Sequence, residues 1–252
     1  MTELAYLPDL PSAYVRTFRA RITALPPGAV VLDRTYFYPT GGGQPADRGT
    51  LQSEDGRRLE VVDVTKSGPA VLHRVRADPA TLRGLAVGAM LDGEIDWERR
   101  HLHMRLHTAQ HFVSARLFAR AGLRTRRAQL SGAGATVDLE SALPSGTVET
   151  VAEDLREVVA SPRPVKIRLV PRAEWDAHPA SARSGLVPLP AQVDPVRVVE
   201  IEASDVCPCG GTHVRSTGEI GPARWLPPVP LPDGATRVAF TLERVAPPTP
   251  TE

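Results

Sequence analysis

The sequence predicts an α+β protein in two parts: a small β-barrel-like domain over residues 1–94, then an α+β domain over residues 95–252. Two observations carry this. Short alternating segments separated by turn residues fill the first part, and from Asp96 the pattern switches to long helical periodicity mixed with strand-like runs. In the first part, Val15–Ile22, Leu59–Val64 and Ala70–Val75 alternate apolar and polar residues, as strands with one buried face do. Pro26-Pro27-Gly28 and Asp55-Gly56 mark the turns between such strands, and several short strands at this spacing suggest a small barrel. In the second part, Trp97–Ala121 lacks Pro and Gly. Its apolar residues Leu102, Leu106, Ala109, Phe112 and Val113 recur at three- and four-residue intervals, which predicts a long helix ending at Gly122. Gly146–Ala160 reads as a second helix, with Val151, Leu155, Val158 and Val159 on one face. Strands are predicted at Ala135–Leu139, Val165–Val170, Val196–Ile201 and Thr236–Leu242. Pro171–Pro195 reads as a connection with at most one helical turn, and Pro227–Pro232 and Pro247–Pro250 as surface turns or tail.

A chain of 252 residues with 42% hydrophobic content can build a core of one large or two small domains. Its two cysteines, Cys207 and Cys209, sit in one motif and make no disulfide framework. The N-terminus shows no basic segment followed by an apolar run, and no apolar stretch approaches membrane-spanning length. These features predict a cytoplasmic protein without membrane attachment. A net charge of +1 exerts no global pull on nucleic acid. All basic residues except Lys66 and Lys166 are arginine, a bias that base composition of the genome explains better than function does. A local cluster is more telling: Arg99, Arg100, Arg105, Arg116, Arg120, Arg124, Arg126 and Arg127 bracket one motif, as a phosphate-bearing substrate would need. A solvated helix face is the other reading of Arg116 and Arg120.

That motif is His107-Thr-Ala-Gln-His111, and a second one follows far downstream, Cys209-Gly-Gly-Thr-His213. On a helix, residues four apart project from one face, so His107 and His111 can reach one ion. Cys209 and His213 would complete a His₃Cys donor set of the kind that suits zinc. Each half alone is weak, since paired histidines are common on half-buried helices and a free thiol is often a small core residue. Both halves in one chain make the metal reading sharp, with Cys207 a competitor for Cys209 as the thiolate. Thr212 and Gln110 adjoin the ligands; they either contact water or substrate or support the ligand side chains.

Phe37-Tyr-Pro-Thr-Gly-Gly-Gly-Gln-Pro-Ala-Asp-Arg-Gly49 is the other unusual stretch. Three consecutive glycines, Gly41, Gly42 and Gly43, exceed what one tight turn is expected to require. They read either as a loop whose backbone, with Gln44, approaches phosphate or an RNA 3′ end, or as a barrel corner.

At this point the chain resembles the free-standing alanyl-tRNA editing proteins, the AlaX family, in its medium-length form. The stretches that carry the resemblance are RTYFYPTGGGQPADRGTL (34–51), IDWERRHLHMRLHTAQHFVSA (95–115) and DVCPCGGTHVRSTGEIG (205–221), in the family's order. It spans roughly residues 3–245. The resemblance implies a barrel-like domain ahead of a zinc-binding editing domain, with no class II synthetase core before them. It places His107, His111, Cys209 and His213 on the family's zinc positions, and Gln129 on a polar position lining the editing pocket. It implies hydrolysis of mischarged tRNA(Ala), namely Ser-tRNA(Ala) and in some members Gly-tRNA(Ala). Candidate catalytic residues are then His107, His111, Gln129 and Thr212; candidate tRNA contacts are Gly41, Gly42, Gly43, Gln44, Arg99, Arg100 and Arg105.

Two mechanisms fit: zinc activates the attacking water, or it orients the substrate while a ribose hydroxyl or a backbone-held network activates water. Two rival functions come from other classes. One is a zinc hydrolase acting on a different ester or mischarged tRNA. The editing domain of the threonyl system shares the paired-ligand pattern but lacks the FYPTGGGQ-type segment. The other is a tRNA-binding module whose zinc is structural.

Overall fold

The computed structural model describes residues 1–132, 134–182 and 189–245, and it divides into two units, Met1–His101 and Leu102–Glu252. The expected turn or tail at Pro247–Pro250 lies outside the described residues, as does part of Pro171–Pro195.

The first unit runs β1 (Glu3–Leu4), α1 (Leu10–Ala13), β2 (Thr17–Ala24), β3 (Ala29–Leu32), β4 (Arg34–Thr35), β5 (Gly49–Ser53), β6 (Arg58–Ser67), β7 (Ala70–Arg76), α2 (Pro79–Arg83) and β8 (Met90–Ile95). Six of these strands close a barrel in the order β2-β3-β7-β6-β5-β8, while β1 pairs in parallel with β4. Inward side chains include Ala20, Ile22, Val30, Leu32, Leu51, Leu59, Val61, Val64 and Leu91. Burial stabilises each of the larger ones by about 1.5–3 kcal/mol. On β6 the inward phase moves from Leu59 and Val61 to Val64 because the pairing with β7 shifts register between Val61 and Asp63. An extra residue there flips the alternation. At Gly49 no side chain fits, since a Cβ would lie 2.0 Å from the Glu94 carbonyl oxygen of the neighbouring strand β8.

The glycine run resolves into one turn. Gly41 and Gln44 exchange backbone hydrogen bonds of 3.1 and 2.9 Å, and the residues between them, Gly42 and Gly43, have φ of 55° and 82°. Two positive φ values in a two-residue hairpin loop are the type I′ geometry that glycine serves. The expectation that a single tight turn could not explain these glycines is therefore corrected for Gly42 and Gly43. The tip is exposed at Gly41 and Gly42, whereas Gln44 is buried.

The long helix α3 (Trp97–Ala121) contributes its first residues to the first unit and the rest to the second. It ends at Gly122, whose φ of 70° provides the left-handed residue that stops a helix. There follow β9 (Thr125–Ser131), β10 (Gly134–Leu139), α4 (Thr147–Ala160), β11 (Val165–Val170), α5 (Arg172–Ala177), β12 (Val196–Ile201), β13 (Asp205–Pro208), β14 (Ala223–Pro230) and β15 (Thr236–Leu242), with 3₁₀ turns at Pro179–Ala182 and Thr217–Glu219. Two antiparallel sheets result, β14-β15-β10-β9 and β11-β12-β13.

Two readings of the proline-rich segments change. Pro227–Pro230 belongs to β14 rather than to a surface turn. Proline donates no backbone hydrogen bond, so β14 carries these residues at the sheet edge, with its register shifted between Leu226 and Val229. Pro171–Pro195 holds more than one helical turn, the six-residue α5 as well as a 3₁₀ turn. Trp175 of α5 anchors them by packing on Val170, Val196 and Val198. Among the described residues, no helix is long and apolar enough to cross a membrane.

Candidate metal centre

Helix α3 is buried through His103–Ala115, so its polar side chains must find partners inside the protein. His107 and His111 project from one face, one turn apart, with ring centroids 5.0 Å from each other. His213 brings its ring to 4.4 Å from His107 and 4.7 Å from His111. The Cys209 sulfur lies 3.5 Å from His107 Nε2 and 3.3 Å from His213 Nε2. All four donor atoms fall within 4.8 Å of one another.

The residues fit a metal ion on two grounds. Tetrahedral bonds of about 2.05 Å to nitrogen and 2.3 Å to sulfur place donor atoms about 3.6 Å apart, close to the sulfur–nitrogen separations found here. Second, the rings already carry the hydrogen bonds that free a lone pair for the cluster. His111 Nδ1 meets the enclosed Asp205 carboxylate at 3.1 Å, which holds the proton on Nδ1 and leaves Nε2 as the donor. Thr108 performs the same service for His213. Its single hydroxyl hydrogen goes to the Met104 carbonyl at 2.9 Å, so its oxygen accepts from the Val214 N–H at 3.2 Å and from His213 Nδ1–H at 3.1 Å. The Gly211 N–H donates to the Cys209 sulfur at 3.2 Å.

Electrostatics agree with a thiolate held among imidazoles. Burial pushes the Cys209 thiol up, but the surrounding His107, His213 and His111 outweigh it and leave the group well below its ordinary value. For His213, burial and the neighbouring His107 together push the pKa down to about 3, which keeps this ring neutral as a metal ligand must be. For His111, burial lowers the pKa, and the opposing Cys209, Cys207 and Asp205 raise it well above the ordinary value.

The other predicted site residues scatter. Arg100 and Arg105 must be corrected as phosphate contacts, because both are enclosed in the interior. Arg100 forms a buried ion pair with Asp47 and donates to the Ala13 and Tyr36 carbonyls. Arg105 donates to the Glu219, Ile220 and Glu243 carbonyls, at 3.0, 2.7 and 2.8 Å for the shortest bond to each. Four of the wider cluster meet acids: Arg116 and Arg120 share Asp154, Arg124 pairs with Glu140, and Arg126 pairs with Asp233. Arg99 is half-buried and donates to the Ala46 carbonyl at 3.0 Å. Gln129 is exposed on β9, opposite Thr136 of β10, and accepts from Arg127. Thr212 is buried beside His213. Gln110 donates to Ser114 at 2.9 Å, while Thr108 and Asp205 make the hydrogen bonds to the ligand rings. Sequence reasoning missed both. Thr108 had a signal in its position inside the first motif, and Asp205 in opening the quoted stretch 205–221.

Comparison with known proteins meets this geometry from outside. A family model described as tRNA synthetases class II (A) matches residues 13–99, and one described as the threonyl and alanyl tRNA synthetase second additional domain matches residues 196–226. An alanyl-tRNA editing protein AlaX-M of Methanosarcina acetivorans is 36% identical over 87% of this chain and 90% of its own length. Its namesake in Saccharolobus solfataricus is 33% identical over 96% of this chain and 100% of its own. An alanine–tRNA ligase of Pyrobaculum neutrophilum is 35% identical over 95% of this chain, which spans only 28% of that enzyme. With most of both chains matched and the cysteine–histidine segment inside the synthetase additional domain, this chain belongs to the AlaX-M family of alanyl-tRNA editing proteins.

Proposed function

We propose that this protein is an aminoacyl-tRNA hydrolase that acts in trans on tRNA(Ala) carrying serine or glycine, with zinc held by His107, His111, Cys209 and His213. The observation that carries the reading is the convergence of those four donors, with the His111 and His213 rings pre-oriented. Family membership supports the substrate class. Serine and glycine resemble alanine too closely for a synthesis pocket to reject, which is why a second hydrolytic site restores fidelity.

When bound, zinc supplies a fixed positive charge and Lewis acidity at the centre. All four donors come from the protein, the pattern of a closed site, so we favour a role in positioning substrate over activation of water. In this reading Asp205 and Thr108 fix the rings of His111 and His213, and the chain holds the aminoacyl ester where water can attack it. We assign substrate or water contacts to Thr212 and Gln129. For tRNA we retain the exposed tip at Gly41 and Gly42, with Gly43, and the half-buried Arg99.

The test is deacylation of Ser-tRNA(Ala), Gly-tRNA(Ala) and Ala-tRNA(Ala) by the purified protein, with and without zinc chelation. Loss of the serine or glycine ester while Ala-tRNA(Ala) survives is the expected result. Survival of all three would favour the alternative that the closed donor set itself suggests, a tRNA-binding module with a structural metal.

A further inference from the structure

Strand β13 brings a second thiol to the same place. Side chains alternate along a strand, so Asp205 and Cys207 project from one side of β13. Cys209 continues that row: its N–H bonds the Arg197 carbonyl of β12 at 3.1 Å, so the pairing runs past the last residue of β13. The donor atoms of His111, Asp205 and Cys207 lie within 4.8 Å of one another, as the donors of the first set do. Asp205 and His111 are buried, whereas Cys207 is half-buried and reachable from solvent.

We propose that His111, Asp205 and Cys207 form a second donor set for a thiophilic divalent cation, a landing site from which the ion passes to the four-donor centre. The inference rests on the metal reading above and extends it to how the centre is filled. Thiolate, imidazole and carboxylate together suit zinc-like ions rather than magnesium or calcium. The two sets share one ring, and a neutral imidazole offers one lone pair. With the ring proton on Nδ1, held by Asp205, His111 serves the four-donor centre through Nε2. With the proton on Nε2, the same ring serves Asp205 and Cys207 through Nδ1. The sets therefore exclude each other, and an ion captured at the outer set passes inward through the ring that both share. Capture at Cys207 releases the thiol proton to solvent.

Cobalt(II) alone, added to the metal-free full chain, tests this, because thiolate–cobalt charge-transfer absorption reports sulfur in the coordination shell. Wild-type protein should take up one equivalent with that absorption; no uptake would overturn the metal reading and this inference with it. Given wild-type uptake, Cys209→Ser should still bind cobalt with the thiolate absorption, and Cys209→Ser combined with Cys207→Ser should lose it. Cobalt bound to Cys209→Ser without thiolate absorption would overturn the second set while leaving the first intact. Should Cys209→Ser fail to fold, the loading rate of Cys207→Ser decides: several-fold slower uptake at unchanged final occupancy supports the landing site, and an unchanged rate refutes it.

Discussion

Replacing Asp47 by Ala should unfold the first unit more readily than almost any surface change, because it strands a charge. The Arg100 guanidinium and the Asp47 carboxylate are both fully enclosed, and Arg100 Nε reaches the two carboxylate oxygens at 3.0 and 2.9 Å. Asp47 also accepts the Tyr38 N–H at 2.6 Å. After the substitution, Arg100 keeps only the Ala13 and Tyr36 carbonyls among these partners, and the Tyr38 N–H loses its acceptor. Breaking a buried pair from one side costs about 3–5 kcal/mol, against a total domain stability of about 5–15 kcal/mol. For a chain of this size that corresponds to a fall of roughly 6–20 °C in Tm. Thermal and urea unfolding measure it. Asp47→Leu combined with Arg100→Met, which removes both charges, should recover most of the loss. The reasoning fails if Arg100→Gln leaves stability unchanged but weakens tRNA binding and flattens its salt dependence, since Arg100 would then face phosphate.

Other outcomes follow from single features. His73 is buried with Nδ1 on the Val30 carbonyl at 3.0 Å and Nε2 on the Thr35 hydroxyl at 2.8 Å, and burial pushes its pKa down to about 4. A depressed histidine stabilises the fold above its unfolded pKa near 6.5. That contribution, about 3 kcal/mol, is lost as pH falls from 6.5 through 4. Unfolding titrations should show a slope in this window that His73→Gln removes. Gly49→Ala should destabilise by at least about 1–3 kcal/mol, because its Cβ would collide with the Glu94 carbonyl; an unchanged urea midpoint would contradict the barrel register. Thr108→Val, which deletes the acceptor of His213 Nδ1–H, should weaken metal affinity about 10–100-fold in chelator competition. Affinity for tRNA should fall as salt rises, and a flat response would argue against phosphate contact near Arg99.

The elements legible in the sequence are those with a regular apolar pattern, which matches burial in β10, β12 and β15, whereas edge strand β11 keeps the pattern although its Leu169 is exposed. The strands at Ala135–Leu139, Val165–Val170, Val196–Ile201 and Thr236–Leu242 lie within β10, β11, β12 and β15, and the helices at Trp97 and Gly146 stop and start at left-handed glycines. Strands without that pattern escaped. In β9, Thr125–Ser131, only Leu130 is buried, because the strand lies at a sheet edge and its other residues face solvent or the rim. Strand β14 hides behind prolines that an edge tolerates. In both, position in the sheet outweighs propensity, and position is a long-range property that a local window does not contain.

At the centre, the same distinction separates ligands from supports. His107 with His111, and Cys209 with His213, are legible because each pair lies within one local segment. The arginines were misread for a related reason. Charge in a sequence looks the same whether it meets phosphate or a buried carboxylate, and Arg100 differs from Arg99 only in that Asp47, far away in the chain, waits inside the fold. A local cluster of arginines therefore says little until each guanidinium's partner is known. Thr108 and Asp205 stand in legible motifs, but their roles do not. Their roles exist only once α3 meets the segment from Asp205 to Val214, which joins Thr108 to His213 and His111 to Asp205. Those cross-chain hydrogen bonds tie the two ligand pairs together before any ion arrives. They hold the His111 and His213 rings in place, so the fold itself, rather than the metal, sets the direction in which these two side chains face the centre.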